Sequence, residues 1–385
     1  MLSRIAAWLR APEPGFKRGF LAAAVLALVI ASLAGVLRFR AMQTLPMDWD
    51  ELVYLRVAYV YAQLIEREQW AGIPQVPFNP EHPPLVKLAY GVAITSLDRD
   101  PPIRPQATGT RIPAELREEF RRARLLSVAA GTAQVYLVAL LNPLAGLFLA
   151  IDSYHIRYTS EIMLEAIPGF FAVLAIVLFG ASWRPRERGT RKLDAAYLYS
   201  SAVSIGLAVS GKYTYALVAL AILPFLLARA GRWRVSVSYI ALAFLVFFAT
   251  NPALWLDPLS GMADTFSFHA RFSGENARAW WHPLALMAHT VHDDHHAAYF
   301  AAWPDRLLLL FAAVGIVRTA RHRPTWLVWA LLGVAFLVTW PTKWAHYPLL
   351  ALPALAMCAG YGLAWCAETL AATWRRLKTS RGTTA

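Results

Sequence analysis

The sequence predicts an all-α membrane protein that crosses the bilayer about ten times. Of its 385 residues, 58% are hydrophobic and 16% are charged, whereas soluble domains are roughly 45–50% apolar and about 25% charged. The mean hydropathy is +0.42. The apolar residues are also grouped into stretches close to the length of about 20 residues that a helix needs to cross a bilayer core. Together these observations exclude a soluble globular enzyme and a disordered chain.

The first apolar stretch has basic residues on both sides, and its length predicts an uncleaved membrane anchor rather than a signal peptide. Two other stretches are ambiguous, because Leu85–Leu97 is short and contains Lys87, and Leu144–Ile151 is short and ends at Asp152. The clear candidates for membrane spans are Phe20–Leu37, Leu125–Leu141, Ala166–Trp183, Ala195–Ser210, Tyr213–Ala228, Val235–Thr250, Trp303–Val317, Trp326–Trp340 and Pro348–Trp365.

Basic clusters between the spans predict the topology, because Lys and Arg are enriched in cytoplasmic loops. If Leu144–Ile151 crosses the bilayer and Leu85–Leu97 does not, all these clusters are cytoplasmic, as are both termini. Residues 41–124 and 251–300 then form two large extracytoplasmic loops within one transmembrane domain, 1–385, in the inner (plasma) membrane. The alternative topology makes Leu85–Leu97 a crossing and fuses Leu125–Ile151 into one broken span, which places the arginine-rich segment before Arg124 in the cytoplasm.

The net charge of +13 does not indicate a nucleic-acid-binding protein. The basic residues occur in short runs between apolar stretches, where they determine topology. We therefore expect the bilayer, and no nucleic acid, among the partners of this chain.

Three carboxylates, Asp48, Asp50 and Glu51, follow the first span directly. Apolar residues at helical spacing after them predict an amphipathic helix on the membrane surface. Asp48 and Glu51 have the spacing of a helix N-cap and capping box, which is a purely structural interpretation. The functional interpretation is that a carboxylate at this interface acts as a general base on a substrate whose lipid tail stays in the bilayer.

Further titratable residues are expected near the same interface. Two prolines after His82 hold it, together with Lys87, near the start of the next helix, and Arg124 opens a span at the depth of a lipid phosphate. Snorkelling is the structural alternative for both cations. Glu161 and Glu165, one helical turn apart, either line an extracytoplasmic cavity or are solvated loop charges.

A possible divalent-metal site is formed by His289, His292 and His296, which have the spacing of one helical face. Histidines with a neighbouring carboxylate are typical zinc ligands. A solvated interfacial loop explains the same residues without a metal. The sequence therefore identifies no certain cofactor.

Several motifs resemble the protein O-mannosyltransferases and the wider group of polyprenyl-phosphate-sugar transferases that includes the lipid A aminoarabinose transferases, both within the GT-C class of membrane glycosyltransferases. The resemblance covers most of the chain up to about Trp255, and a short motif beyond it. Its residues are Asp50-Glu51, His82-Pro83-Pro84-Leu85-x-Lys87, Arg124-Leu125-Leu126, Gly206-Leu207-Ala208, Lys212-Tyr213-Thr214, Asn251-Pro252-Ala253-Leu254-Trp255 and Lys343-x-x-His346-Tyr347-Pro348.

This resemblance implies a GT-C helix bundle, a polyprenyl-phosphate-sugar donor, an extracytoplasmic acceptor, and the acidic pair as the catalytic centre. We expect Asp50 to be the base, with Glu51 orienting a cation or the acceptor. A departing phosphate needs cations, and the candidates are Arg124, Lys87, Lys212 and Lys343. The predicted cavity further contains Asp48, His82, Glu161, Glu165, His346 and Tyr347.

A transporter or flippase of lipid-linked intermediates is the alternative function, since it would use the same cations to pass a phosphate across the membrane. Such proteins show repeat symmetry and broken helices in corresponding halves. The sequence shows no internal repeat, which favours the transferase.

Overall fold

The protein is helical in almost all of the chain that the structure describes. This computed structural model describes residues 20–97, 111–185, 191–230, 233–291, 296–300 and 307–382. Within these ranges the α-helices are α1 (Phe20–Thr44), α2 (Trp49–Glu66), α3 (Leu85–Ile94), α4 (Arg117–Leu141), α5 (Pro143–Ile151), α6 (Ser153–Tyr158), α7 (Ala166–Ala181), α8 (Ala195–Gly211), α9 (Ala216–Ala230), α10 (Trp233–Ala249), α11 (Pro258–Glu275), α12 (His282–Ala288), α13 (Ala297–Phe300), α14 (Leu308–His322), α15 (Pro324–Thr339) and α16 (Leu352–Gly382).

Shorter elements connect these helices. Strands β1 (Trp183–Pro185) and β2 (Arg191–Leu193) pair antiparallel between α7 and α8. Single 3₁₀ segments lie at Trp70–Gln75, Ala114–Leu116, Tyr213–Tyr215, Pro252–Leu254 and Tyr347–Leu350.

The helices confirm a multi-pass membrane protein. Among the described residues, three helical stretches have the length and hydropathy of a membrane span, namely Leu21–Thr44, Ala114–Leu141 and Leu352–Lys378. Several shorter apolar helices accompany them. Helix α5 has nine residues and is about 14 Å long at 1.5 Å per residue, which is well below a bilayer core of about 30 Å. The number of ten crossings therefore stays a prediction.

Helices α1 and α4 are among those that extend beyond the apolar stretches that predicted them. Helix α1 continues to Thr44, so that Arg38 lies inside the helix and is completely buried. Helix α4 begins at Arg117, two turns before Leu125, and its first turns are charged. Charged residues at the ends of spans extend such helices into the interface without entering the lipid core.

Small residues allow close approach of the helices in the bundle. Where α14 packs on α16, a Cβ atom added to Gly315 would lie 1.9 Å from the carbonyl oxygen of Cys358, and one added to Gly362 would lie 1.9 Å from that of Phe311. Small residues at such contacts are typical of helix packing in membranes.

The two ends of the bundle differ in charge. The connections at one end are the β-hairpin, the α9–α10 turn and the α14–α15 turn, which carry Arg184, Arg191, Arg229, Arg234, Arg321 and Arg323. Acidic and aromatic segments meet at the opposite end, namely 48–51, 159–165, 212–215 and 340–347. This second end contains the candidate site.

Candidate active site

The start of α2 separates the three neighbouring carboxylates into different environments. Asp48 is the N-cap, in an extended conformation (φ −86°, ψ 154°), and its Oδ1 accepts a hydrogen bond from the Asp50 amide at 3.0 Å. Glu51 Oε2 accepts one from the Asp48 amide at 3.0 Å. The predicted capping box is therefore present, and it pairs backbone amides at the start of α2 that would otherwise lack partners.

Glu51 is completely buried and has all its acceptor positions occupied. Besides the Asp48 amide, its carboxylate accepts hydrogen bonds from Arg124 Nε at 2.7 Å, Arg124 Nη2 at 2.5 Å and the Ile162 amide at 2.8 Å. A carboxylate with four donors joins α2, α4 and the segment before α7. This geometry makes Glu51 a positioning residue and leaves it no free position for a substrate.

Arg124 is also completely buried, and all five of its N–H groups are used. Those not directed at Glu51 donate to the carbonyl oxygens of Met42 at 2.9 Å, Leu45 at 3.1 Å and Pro46 at 3.1 Å. The guanidinium therefore ties the end of α1 to the start of α2. This arrangement argues against the predicted role of Arg124 in binding the donor phosphate, because no N–H is left for it.

The ammonium groups of Lys87 and Lys343 are likewise saturated by protein oxygens. Lys87 Nζ donates to the carbonyl oxygen of Asn79 at 2.6 Å, to Asn79 Oδ1 at 3.1 Å and to the carbonyl oxygen of His82 at 2.9 Å. Lys343 Nζ binds the last carbonyl groups of α15, at Leu337 (2.6 Å), Val338 (2.9 Å) and Trp340. Lys343 thus occupies a helix C-terminus, where a cation is stabilising, and Lys87 holds the 79–82 segment against the start of α3. These structural roles argue against phosphate binding by either lysine.

Lys212 differs from these cations because its hydrogen-bonding capacity is only partly used. It follows the last residue of α8, and its Nζ donates to Glu165 Oε1 and lies 5.4 Å from the ring centroid of Tyr347. Glu165 also lies 3.7 Å from His346 Nε2. Within the described residues, Glu165 is the one hydrogen-bond acceptor of this ammonium, so two of its three N–H groups remain for a ligand.

Asp50 is the carboxylate that remains accessible. It is half-buried, and its side chain has no hydrogen-bond partner within the part of the chain that the structure describes. Burial, together with the neighbouring charges of Asp48 and Glu165, raises the pKa of Asp50 to about 7, while Lys212 partly opposes this shift. A carboxylate with a pKa near neutrality is suited to general-base catalysis.

A charged chain that the sequence interpretation missed leads away from Asp48. Arg157 Nη2 lies 2.7 Å from Asp48 Oδ2, and Arg157 Nε lies 3.5 Å from Glu161 Oε1. Glu161 in turn lies 3.1 Å from His296 Nε2. The sequence feature that could have indicated this chain is Arg157, which lies four residues before Glu161 in a segment between apolar stretches.

Residues 152–166 form a buried connection that carries these groups. Arg38 of α1 holds it by donating to Thr159 Oγ1 at 2.9 Å and to His155 Nδ1 at 2.5 Å. His155 Nε2 is hydrogen-bonded to Gln134 Oε1 at 2.8 Å. Because Arg38 was interpreted only as a charge flanking the first span, this support was also missed.

His82 lies on another side of the site. Its ring packs edge-on against Tyr54, one helical turn after Asp50, at a centroid distance of 6.4 Å, and it lies 5.6 Å from the ring of His269. Burial and the charge of Lys212 hold the pKa of His82 well below its usual range. The same two causes lower the pKa of His346, so both rings are neutral near pH 7.

The three histidines of the possible zinc site do not lie on one continuous helix from His289. Helix α12 ends at Ala288, and His289 is exposed beyond it. His292 lies outside the described residues, while His296 faces Glu161. No group of three or more potential ligands suited to a metal ion occurs among the residues that the structure describes. Binding of a divalent metal stays an untested prediction.

The helical bundle and this polar end define the class of protein, a polytopic membrane protein with the GT-C fold. Residues 73–271 match the family described as dolichyl-phosphate-mannose-protein mannosyltransferase. Because the match covers just over half of the 385 residues, the chain belongs to this family.

Solved structures with a similar fold include ArnT from Cupriavidus metallidurans. The form bound to undecaprenyl phosphate has a TM-score of 0.59 at 16% identity, and the match covers 88% of this chain and 60% of that chain. The apo form gives a TM-score of 0.57 at 16% identity, covering 89% and 60%. The chain thus spans about 60% of the length of these proteins. A search among curated proteins gave no match.

Proposed function

We propose that this protein transfers a sugar, mannose or another hexose or pentose, from a polyprenyl-phosphate donor to a hydroxyl group of an extracytoplasmic acceptor. The observation that carries this proposal is the pairing of an accessible carboxylate of raised pKa, Asp50, with a cation that has donors to spare, Lys212. Membership of a mannosyltransferase family favours this activity over a transporter. The structure of the similar ArnT with undecaprenyl phosphate supports a lipid phosphate as the donor carrier.

In the proposed reaction, Asp50 accepts the proton of the acceptor hydroxyl group. The hydroxyl oxygen attacks the anomeric carbon, and the bond from that carbon to the phosphate oxygen breaks. The electron pair leaves with the phosphate, so the products are the glycosylated acceptor, with inverted configuration, and polyprenyl phosphate. In-line attack of this kind requires both substrates to be held in register on opposite sides of the anomeric carbon.

Lys212 is proposed to stabilise the departing phosphate, because negative charge on it grows in the transition state. In the structure Glu165 holds the Lys212 ammonium in place, beside His346 and Tyr347. Because the imidazole of His346 is neutral, Lys212 is the proposed source of positive charge at this point. Its buried position strengthens the electrostatic contact with the phosphate.

The lipid chain of the donor is proposed to occupy an apolar cavity of about 530 Å³ whose lining begins one residue after Lys212. Tyr213, the residue after Lys212, lines the cavity, as do Val209 of α8 and Phe247 of α10. Side chains of α11, including Met262 and Phe266, cover it. A cation proposed to bind the phosphate and an apolar space that starts at the next residue would fit the two parts of a prenyl phosphate.

The proposal is tested by steady-state kinetics with the purified protein reconstituted in lipid vesicles. The donor is polyprenyl-phosphate mannose, and the acceptors are envelope fractions from a deletion strain. We expect Lys212→Ala to raise the donor KM at least about tenfold with little change in acceptor KM, because a charge-assisted contact is worth about 1.5–3 kcal/mol. Lys212→Arg should retain part of the affinity. Arg318→Ala, at the opposite end of the bundle, is the matched control and should change neither constant.

Two results would contradict the proposal. One is a wild-type protein that releases no polyprenyl phosphate with any envelope fraction of the deletion strain. The other is a Lys212→Ala variant with an unchanged donor KM. Mass analysis of the lipids, glycans and glycoproteins of the deletion strain would identify the acceptor, since one conjugate should lose a sugar residue.

A further inference from the structure

The proposed phosphate-binding lysine already holds an anion of the protein. Glu165 Oε1 accepts a hydrogen bond from Lys212 Nζ, and the side chains of Glu165 and Lys212 are 4% and 7% exposed. A buried carboxylate keeps its charge at low cost only when it is paired, so this contact stabilises both charges. A donor phosphate that binds the same ammonium becomes a second anion at one cation.

The described residues around Lys212 carry more negative than positive charge. The carboxylates of Asp48, Asp50, Glu161 and Glu165 face the cations Arg157 and Lys212. Arg157 lies 2.7 Å from Asp48 and 3.5 Å from Glu161, so it is engaged on the other side of the site. A phosphate adds a further negative charge, and like charges brought together favour protonation of one of them.

The other titratable side chains that face Glu165 are neutral. His346 Nε2 lies 3.7 Å from Glu165 Oε1, and the pKa of this imidazole is well below its usual range. The Tyr215 hydroxyl donates to the carbonyl oxygen of Glu165 at 3.2 Å and not to its carboxylate. Further neighbours are phenol groups, uncharged near pH 7, namely Tyr54, Tyr90 and Tyr347. Among these described neighbours, Lys212 alone compensates the charge of Glu165 directly.

The space beside the ion pair is small. A cavity of about 10 Å³ is lined by Glu165 and Lys212, by His346 and Tyr347, and by apolar side chains of α15 and of the segment before α16. A cavity of this volume holds about one water molecule. A phosphate group is several times larger, so in this space it competes with the Glu165 carboxylate for the Lys212 ammonium.

We propose that Glu165 takes up a proton from solvent when the donor phosphate binds Lys212, and that the resulting neutral acid donates a hydrogen bond to a phosphate oxygen. Glu165 is the group for this proton because it shares its cation with the phosphate, whereas Asp50 has to stay deprotonated to act as the base. This inference rests on the proposed transferase activity and assigns a second donor-binding residue to it. When polyprenyl phosphate leaves, the proton returns to solvent and the ion pair with Lys212 forms again.

Loss of the Glu165 charge also acts on the base. This charge is one of those that raise the pKa of Asp50, and the arriving phosphate adds another negative charge near the same carboxylate. Protonation of Glu165 offsets that addition. Asp50 therefore keeps its ionisation near pH 7 while the donor is bound.

Calorimetry of donor binding, without any acceptor, tests the inference. The probe is a short-chain polyprenyl-phosphate mannose, a phosphodiester with no second proton to exchange, and the protein is the full-length Asp50→Asn variant in detergent. This substitution prevents turnover and removes the titration of Asp50, whose pKa is about 7. Titrations in two buffers of different ionisation enthalpy, from about pH 5 to about pH 9, give the number of protons taken up per donor bound.

We expect the uptake to approach about one proton where free Glu165 is ionised, because the phosphate raises the pKa of this group further. Over that range the Kd of the donor should rise about tenfold per pH unit. When Glu165→Gln is added to Asp50→Asn, the amide already resembles the neutral acid, so the uptake should be absent and the Kd independent of pH. At the alkaline end this double variant should bind the donor at least about tenfold more tightly than Asp50→Asn alone.

Glu368→Gln, also added to Asp50→Asn, is the matched control. Glu368 pairs with Arg318 at the opposite end of the bundle, so this chain should show the same proton uptake and Kd as Asp50→Asn alone. A Glu165 carboxylate that only positions Lys212 predicts a different result for Glu165→Gln, namely weaker donor binding at every pH and an unchanged number of protons.

Three results would overturn the inference. The first is donor binding by Asp50→Asn without proton uptake at any pH, a measurement that needs no change at Glu165. The second is an uptake that persists in Glu165→Gln and so belongs to another group, and the third is weaker donor binding by that variant at the alkaline end. Absence of donor binding by the wild type would instead overturn the transferase proposal and this inference with it, so the two failures are distinguishable.

Discussion

Among the single residues of the site, Asp50 is the one whose ionisation should control the rate. A base must be deprotonated to act, and the pKa of Asp50 is raised to about 7. We therefore expect kcat/KM to rise with pH through about 7 and to level off above it. Initial rates at fixed donor concentration, from about pH 5 to about pH 9, would measure this inflection.

Asp48→Asn provides a control for this assignment. The Asp48 carboxylate raises the pKa of Asp50 by repulsion, so its removal should move the inflection to lower pH, while asparagine still caps α2. Asp50→Asn should abolish transfer without loss of folded protein. A pH profile that stays the same in Asp48→Asn, or normal turnover by Asp50→Asn, would show that another group is the base.

The buried pair of Glu51 and Arg124 should affect stability rather than donor affinity. Removing one partner leaves an uncompensated buried charge, which costs about 3–5 kcal/mol. We expect Arg124→Ala to lower the melting temperature and the yield of folded protein in detergent. Arg318→Ala breaks the exposed contact with Glu368, which is worth roughly 0–1 kcal/mol, and it serves as the comparison.

The double variant Glu51→Leu with Arg124→Leu should recover part of the stability that Arg124→Ala loses, because it leaves no unpaired charge. A stable Arg124→Ala protein with a selectively raised donor KM would instead restore the phosphate-binding role for this arginine.

Local sequence patterns predicted single residues well only where the determining contacts are also local. The capping box of Asp48 and Glu51 spans three residues and is present as predicted. The partner of Glu51 is 73 residues away, and the spacing of charges along the chain contains no information on that pairing. For the same reason the pattern did not distinguish Lys212 from Lys343, since both follow apolar stretches.

At the scale of whole elements, helices α8, α9 and α10 surround the cavity proposed for the lipid chain. A larger side chain in that cavity should weaken the binding of donors with a long prenyl chain more than that of donors with a short one. We expect Val209→Trp to raise the KM for a long-chain polyprenyl-phosphate sugar several-fold, because the added ring takes the space of the prenyl chain. The KM for a short-chain donor should change little.

Leu245→Trp is the matched control for this prediction. Leu245 is an exposed residue of α10 that does not line the cavity, so the same added ring should leave both donors unaffected. An equal effect of Val209→Trp on long and short donors would mean that the prenyl chain lies elsewhere.

The apolar stretches predicted the existence of most spanning helices but not all of their ends. Hydropathy marks where a helix is in contact with lipid, whereas backbone hydrogen bonds continue it into the polar interface. Helix α16 illustrates this difference, since its 31 residues extend well past the predicted end at Trp365. Helix α2 was predicted directly after the three carboxylates, because an N-cap and an apolar face define it locally, and it is present at Trp49–Glu66.

For the molecule as a whole, the basic connections at one end predict which side of the membrane the site faces. Basic connections lie at one end, and the acidic and aromatic site lies at the other. Lys and Arg are retained in the cytoplasm, so we expect the site on the extracytoplasmic face. A donor that is anchored in the bilayer by its prenyl chain can reach such a site from the outer leaflet.

Labelling of single cysteines tests this orientation. Ala279 is exposed in the segment after α11, on the side of the site, and Arg321 is exposed in the last turn of α14, at the basic end. In intact spheroplasts a membrane-impermeant maleimide should react with Ala279→Cys, and it should react with Arg321→Cys only after permeabilisation. The parent chain, which contains only the buried Cys358 and the half-buried Cys366, gives the background. The reverse pattern would place Asp50 in the cytoplasm and would contradict transfer to an extracytoplasmic acceptor.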